Sequence, residues 1–171
     1  VNSKMVLTDP ILMGTVYDMQ TNFSNQNRLY LYPDGTMGAT AILSHSYPYT
    51  DRGTGYNYFN GTSWGTQPAT ILESSKAGWP SYAPLGASGE IIVSHHGTQG
   101  LFIMKRAQKG QGPWTEYILN VPPSAVDISW PRVVTNGPDH TYVHIICLTY
   151  VPYSGFENAL LYFRSLDGGI T

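Results

Sequence analysis

Side chains able to do chemistry are concentrated in three stretches of this 171-residue chain, Ser44 to Arg52, His95 to Gly100 and Tyr150 to Asn158. These stretches hold His45, Tyr47, Tyr49, Asp51, Arg52, His95, His96, Tyr150, Tyr153 and Glu157. Aromatic rings offer flat apolar platforms with polar tips, and carboxylates or imidazoles orient hydroxyl groups; the mixture suits sugars. Arg52, together with Arg28 and Arg132, adds guanidinium forks that match a carboxylate. The pair His95-His96 invites a metal reading. Neighbours at a strand end point to opposite faces, however, and no third ligand stands at a recognisable spacing, so no metal and no cofactor is expected. Asp51-Arg52 reads as a local ion pair, and His144, which alternates within an apolar strand, reads as structural.

These residues must be held by β structure. Tyr occurs 13 times, Gly 18 and Pro 12, while charged residues make up 12% of the chain. Aromatic and β-branched side chains fit a pleated sheet, and Gly and Pro punctuate turns. Three landmarks recur along the sequence. Trp79-Pro80 and Trp130-Pro131, 51 positions apart, each open a strand, and Asn25 to Leu31 occupies the corresponding earlier place. Tight turns at Pro33-Asp34-Gly35-Thr36, Ala87-Ser88-Gly89-Glu90 and Asn136-Gly137-Pro138-Asp139 each precede an apolar strand, the hairpin signal of primed turns. Turns ending in Trp64 and Trp114 are 50 apart. A period near 50 with four short strands per unit is that of a β-propeller, in which each small sheet must stack on its neighbours. A β-sandwich also spaces short strands regularly, but it does not repeat whole multi-strand units.

The net charge of -2 gives no general attraction to nucleic acid or to anionic membrane. No apolar run approaches the roughly 20 residues of a membrane helix. Cys147, the single cysteine, excludes an intrachain disulfide and reads as a buried, inert thiol within His144 to Leu148. The start at Val1 and the finish inside a repeat suggest a segment of something longer.

The chain ends Ser165-Leu166-Asp167-Gly168-Gly169-Ile170-Thr171. This resembles the Asp-box, Ser-x-Asp-x-Gly-x-Thr-Trp, of the sialidase-like (BNR-repeat) propellers, lacking only the closing Trp. The strand Leu160 to Arg164 precedes it, as the pattern requires. The resemblance covers Asn25 to Thr171, and phrases such as Arg52-Gly53-Thr54-Gly55-Tyr56-Asn57-Tyr58-Phe59 are similar to large secreted bacterial surface proteins. It implies an all-β fold, a partial β-propeller of about three four-stranded antiparallel blades from a probable six-bladed ring. The blades fall at residues 25–72, 73–121 and 122–171. Residues 1–24 would supply an outer strand of a preceding blade.

In that arrangement Ser165, Asp167, Gly169 and Thr171 form a structural turn on the face away from the ligand. The opposite face carries the second-to-third loops and the blade connections Glu73 to Gly78 and Val121 to Ser129. The ligand-face candidates are then His45, Tyr49, Asp51, Arg52, His95, His96, Arg132, Tyr150, Tyr153 and Glu157. Trp79 and Trp130 read first as packing between blades. A sialidase-like hydrolase needs an arginine cluster, a Tyr-Glu nucleophile pair and an Asp acid/base. Arg28, Arg52 and Arg132 could converge near Tyr150, Tyr153 and Glu157, but the family's Arg-Ile-Pro pattern is absent, and a lyase using His and Tyr rests on residue types alone. The favoured expectation is a secreted or cell-surface module that recognises a glycan or a protein and associates with the remaining blades. A hydrolase completed elsewhere and a purely structural propeller are the alternatives.

Overall fold

The computed structural model describes residues 10–20, 25–96, 100–120 and 127–171, and among them the chain is all-β, in three antiparallel sheets. The first sheet contains β1 (Leu29–Leu31), β2 (Met37–Leu43) and β3 (Gly53–Phe59). The second contains β4 (Gly78–Leu85), β5 (Gly89–His95), β6 (Leu101–Arg106) and β7 (Thr115–Leu119). The third contains β8 (Ile128–Asn136), β9 (Tyr142–Thr149) and β10 (Leu160–Ser165). Each sheet pairs its strands in chain order, as consecutive hairpins do. Four strands form only in the second sheet; in the first, a fourth is reduced to an isolated bridge between Phe59 and Trp64. Residues 61–70 are rich in Gly, Thr, Ser and Pro, a composition that does not sustain a ladder.

The middle sheet is covered on both faces, which explains why all seven residues of β5 are buried. Successive side chains on a strand point to opposite sides, so Ile91 and Ile92 serve different cores. Ile92 joins Tyr82, Met104 and Tyr32 against the first sheet. Ile91 joins Ala83, Val93, Val133, Val143, Ile145 and Cys147 against the third. Cys147 is 1% exposed, and burial pushes its thiol up to about 12, so it packs as a small hydrophobe.

The first strands of successive sheets are tied to each other. Tyr82 N donates to Asn27 O (2.7 Å), and Asn27 Nδ2 donates to Tyr82 O (2.7 Å). One unit on, Val133 N donates to Ser81 Oγ (2.9 Å) and Thr135 Oγ1 to Pro84 O (2.8 Å). The Trp-Pro pairs have the same geometry in both places. Pairing shifts register between Gly78 and Ser81 and between Ser129 and Arg132. Trp79 has φ 49° and Trp130 φ 51°. Proline has no N–H to give the ladder, so each pair makes a bulge, and its tryptophan takes a left-handed conformation that bulky residues rarely adopt. The 51-residue repeat is therefore a repeat of backbone shape as well as of letters.

Residues 10–20 contain no strand and instead cross the first sheet. Asn57 Nδ2 donates to Leu12 O (2.7 Å), and Val16 N to Ser44 O (3.0 Å). The Gln20 carboxamide both accepts from Ile42 N (2.9 Å) and donates to Ile42 O (2.7 Å). Beyond the short β1, it does for β2 what a neighbouring strand's backbone would do.

The turns at the opposite end of the sheets form a separate network. Ser165 to Thr171 closes on Asp167, whose Oδ1 accepts from Ile170 N and Thr171 N (3.0 Å each) and whose Oδ2 accepts from Thr171 Oγ1 (2.6 Å). Ser165 Oγ donates to Asp167 Oδ1 (2.6 Å) and accepts from Gly169 N (2.8 Å). Gly168 and Gly169, at φ 74° and 78°, supply the left-handed turn that this wrapping requires. Lys105 of the second sheet clamps the turn by donating to Gly168 O (3.2 Å) and Gly169 O (2.9 Å).

Candidate functional site at the loop face

The β2–β3 loop is pinned from within. Asp51 accepts from Ser44 Oγ (2.5 Å) and from His45 N (2.7 Å), and its Oδ2 lies 3.0 Å from His45 Nδ1. The Ser44 hydroxyl and then the His45 backbone amide hold its carboxyl down at about 2. The expected Asp51–Arg52 ion pair is not what forms. Adjacent side chains diverge at the start of a strand, so Asp51 turns back on its own loop while Arg52 reaches the second sheet.

Arg52 sits among neutral partners. Its Nε donates to Ala77 O (2.9 Å) and Nη1 to the Tyr17 hydroxyl (3.4 Å). The guanidinium carbon is 4.8 Å from the Trp79 ring centre and 5.4 Å from that of Tyr17, a cation against two rings that are nearly perpendicular to each other. A side chain at Gly78 would press on this guanidinium, which is why the strand begins with glycine. Ring contacts continue outward: Tyr17 meets Tyr49 at 5.1 Å, and Tyr49 meets Tyr47 at 5.5 Å, both edge-on. Inward, Trp79 meets His95 at 4.8 Å. The series runs from Tyr47, 82% exposed, to His95, 5% exposed.

His95 is neutral over the physiological range. Burial, then the charge of Arg52 and then His96, lowers its pKa to about 3, and its buried Nδ1 has no hydrogen-bond partner. His96 turns the other way, its ring 4.6 Å from Phe102 and its Nε2 3.2 Å from Ser75 Oγ. Among the described residues no cluster of His, Cys, Asp and Glu side chains could hold a metal ion.

The third sheet contributes Tyr150, whose backbone N donates to Asp127 O (2.9 Å) and whose ring lies 5.0 Å from Trp130. Burial and then the carboxylate of Asp127 raise the Tyr150 hydroxyl, while Ser129 and Arg52 act against that rise. The charge of Arg52, on a loop of the first sheet, reaches Tyr150, and β4, which carries Trp79, packs on β8, which carries Trp130. Asp127 Oδ1 is buried without a hydrogen bond, and burial raises that carboxyl.

Other expected residues stand apart. Arg132 donates to Trp130 O (3.1 Å) and, together with Val134, His144, Ile146 and Tyr162, lines a shallow pocket on the far face of the third sheet. His144, expected to be structural, is hydrogen-bonded there to Tyr162 and Asn136. Arg28 donates to Gln20 Oε1 (3.1 Å) and Gln26 Oε1 (3.4 Å), and burial followed by the charge of Arg132 lowers it to about 10. The three arginines thus divide, Arg28 beside Arg132 and Arg52 in its aromatic cage. Tyr153 closes a small turn with Phe156. Glu157 is exposed, and among the described residues it forms no hydrogen bond with Tyr150 or Tyr153.

The sequence reading passed over Tyr17, Asp127 and two buried glutamates. Glu73 accepts from Thr54 N (2.7 Å), Thr54 Oγ1 (2.5 Å) and Ser94 Oγ (2.6 Å), and so joins the first two sheets directly under the loops. Glu90, fully buried, binds Arg106 and accepts from the hydroxyls of Tyr82 (2.5 Å) and Tyr56 (2.9 Å) near the turn end. A carboxylate beside the apolar run Ile91 to Val93 was the available signal for Glu90; Tyr17 and Asp127 carry none. Against known proteins, the chain matches no family model and no curated protein.

Proposed function

We propose that the three sheets are successive blades of a sialidase-like β-propeller, and that its loop face recognises a glycan at a bacterial surface without catalysis by this segment. The repeated Trp-Pro bulge and the wrapped turn at Asp167 support the propeller reading. Secretion or surface display rests on the resemblance to large bacterial surface proteins. The observation that carries the glycan reading is Arg52, lying over the rings of Tyr17 and Trp79 with neutral partners and linked through the half-buried Tyr49 to the exposed ring of Tyr47. Flat rings around a fixed donor fit a pyranose face and its polar substituents.

A glycan array tests this. Binding by the chain that is lost in Arg52→Ala, without release of sugar, supports the reading; no binding to any glycan defeats it. The alternative is a glycoside hydrolase whose site is completed by blades outside this chain. Release of sugar that disappears in Arg132→Ala would favour it.

A further inference from the structure

We infer that the loop face takes an internal stretch of a polysaccharide laid across all three sheets, and not a single terminal sugar. This rests on the glycan reading. Tyr47 lies three ring contacts from Trp79, by steps of 5.5, 5.1 and 6.1 Å through Tyr49 and Tyr17. Tyr17 is buried and Tyr49 half-buried, so the platform at this margin is the exposed Tyr47 ring, about the size of one pyranose. One repeat further along, Tyr150, 50% exposed, stands on Trp130, and Phe156 on the same loop is 69% exposed. Large exposed rings at both margins of a polar centre are platforms for successive units of a chain.

The centre has unfilled bonding capacity of the kind that sugar hydroxyls fill. Among the described residues, His95 Nδ1 and Asp127 Oδ1 are buried with no hydrogen-bond partner. Such atoms lose hydration and regain it only through a ligand or a water. A neutral imidazole and a carboxylate suit hydroxyl groups, and Arg52 adds preference for an acidic unit. Binding energy is then spread over several weak contacts, each gaining from the others through the shared chain.

Affinity gel electrophoresis of the chain in polygalacturonate, hyaluronan, carrageenan and dextran, followed by titration with sized fragments of whichever polymer retards it, tests the inference. Affinity should rise about tenfold or more from a disaccharide to an octasaccharide. Tyr47→Ala and Tyr150→Ala should each weaken octasaccharide binding about threefold to tenfold. Both rings are exposed, so the fold should survive; a thermal melt confirms it. Full affinity for a mono- or disaccharide, with no gain on lengthening, overturns the inference and leaves the glycan reading standing. Array binding to a short glycan with no retardation by any of the four polymers does the same. No array binding at all overturns both.

Discussion

The Arg52 guanidinium carbon stands 4.8 Å from the centre of the Trp79 ring, a pairing that joins a loop of the first sheet to the first strand of the second. The tryptophan is presented by a bulge at φ 49°, and the arginine is aimed by a hydrogen bond to Ala77 O. Position and charge are thus set by two different sheets.

Removing this contact should loosen the sheet junction. Arg52→Ala is expected to lower stability by about 1–2 kcal/mol, since two half-desolvated cation–π contacts and two charged hydrogen bonds, to Ala77 O and Tyr17, disappear. Arg52→Lys should retain only part of that, because an ammonium lacks the planar, delocalised face of the guanidinium and its fork of donors. Urea denaturation of the two variants checks the order.

The Glu90–Arg106 pair should be far more sensitive to single substitutions. Arg106 is 9% exposed and stacks on Tyr56 (4.7 Å) and Trp114 (4.4 Å). Arg106→Met strands a buried carboxylate and is expected to cost about 3–5 kcal/mol. The double variant Glu90→Gln with Arg106→Met should recover a substantial part of that loss. Equal destabilisation in the single and double variants would show that the pair is not energetically coupled.

His95 predicts a pH dependence with a definite sign. Its folded pKa of about 3 lies below the ordinary value of 6.5, so on acidification the unfolded chain binds the proton first. Stability should be unaffected by His95 above pH 6.5. It should fall between 6.5 and 3, with a slope approaching 1.4 kcal/mol per pH unit at most. Asp51, held at about 2, adds a further loss only below its ordinary value of 3.8. Unfolding midpoints from pH 8 to 4, compared with His95→Phe, should show the slope flattened in the variant.

The far face of the third sheet should drive self-association. Val134 is 58% exposed, Ile146 40% and Tyr162 58%, whereas the repeat-equivalent face of the second sheet buries Ala83 to 2% and Val93 to 0%. An exposed apolar sheet face seeks a partner. Sedimentation of the chain should show oligomers or aggregates, and Val134→Lys with Ile146→Thr should shift it toward monomer. A monodisperse monomer at high concentration without these changes would contradict the expectation.

Much of the architecture was legible because it is local. Alternating apolar residues, Gly- and Pro-marked turns and the 51-residue spacing of Trp79 and Trp130 specify strands, hairpins and a repeated unit from neighbours in sequence alone. The turn at Asp167 was legible for the same reason, since the hydrogen bonds made by the Asp167 and Ser165 side chains run between residues at most four apart. The three-stranded form of the first sheet was not, because Gln20, distant in sequence, completes one edge of β2, and the stretch after Phe59 keeps a single bridge.

The site divides along the same line. The sequence by itself determined which loops carry rings, imidazoles and carboxylates, and that His95 and His96 point apart. Only the tertiary structure decided that Arg52 leaves Asp51 for Tyr17 and Trp79, that Arg132 lies on another face, and that Asp127 joins Tyr150. Those outcomes depend on which sheet packs on which, and on the burial that follows. Neither quantity is a property of a residue and its near neighbours. The partners of Arg52 lie 35 and 27 positions away and meet it because residues 10–20 cross the first sheet and the second sheet packs on it.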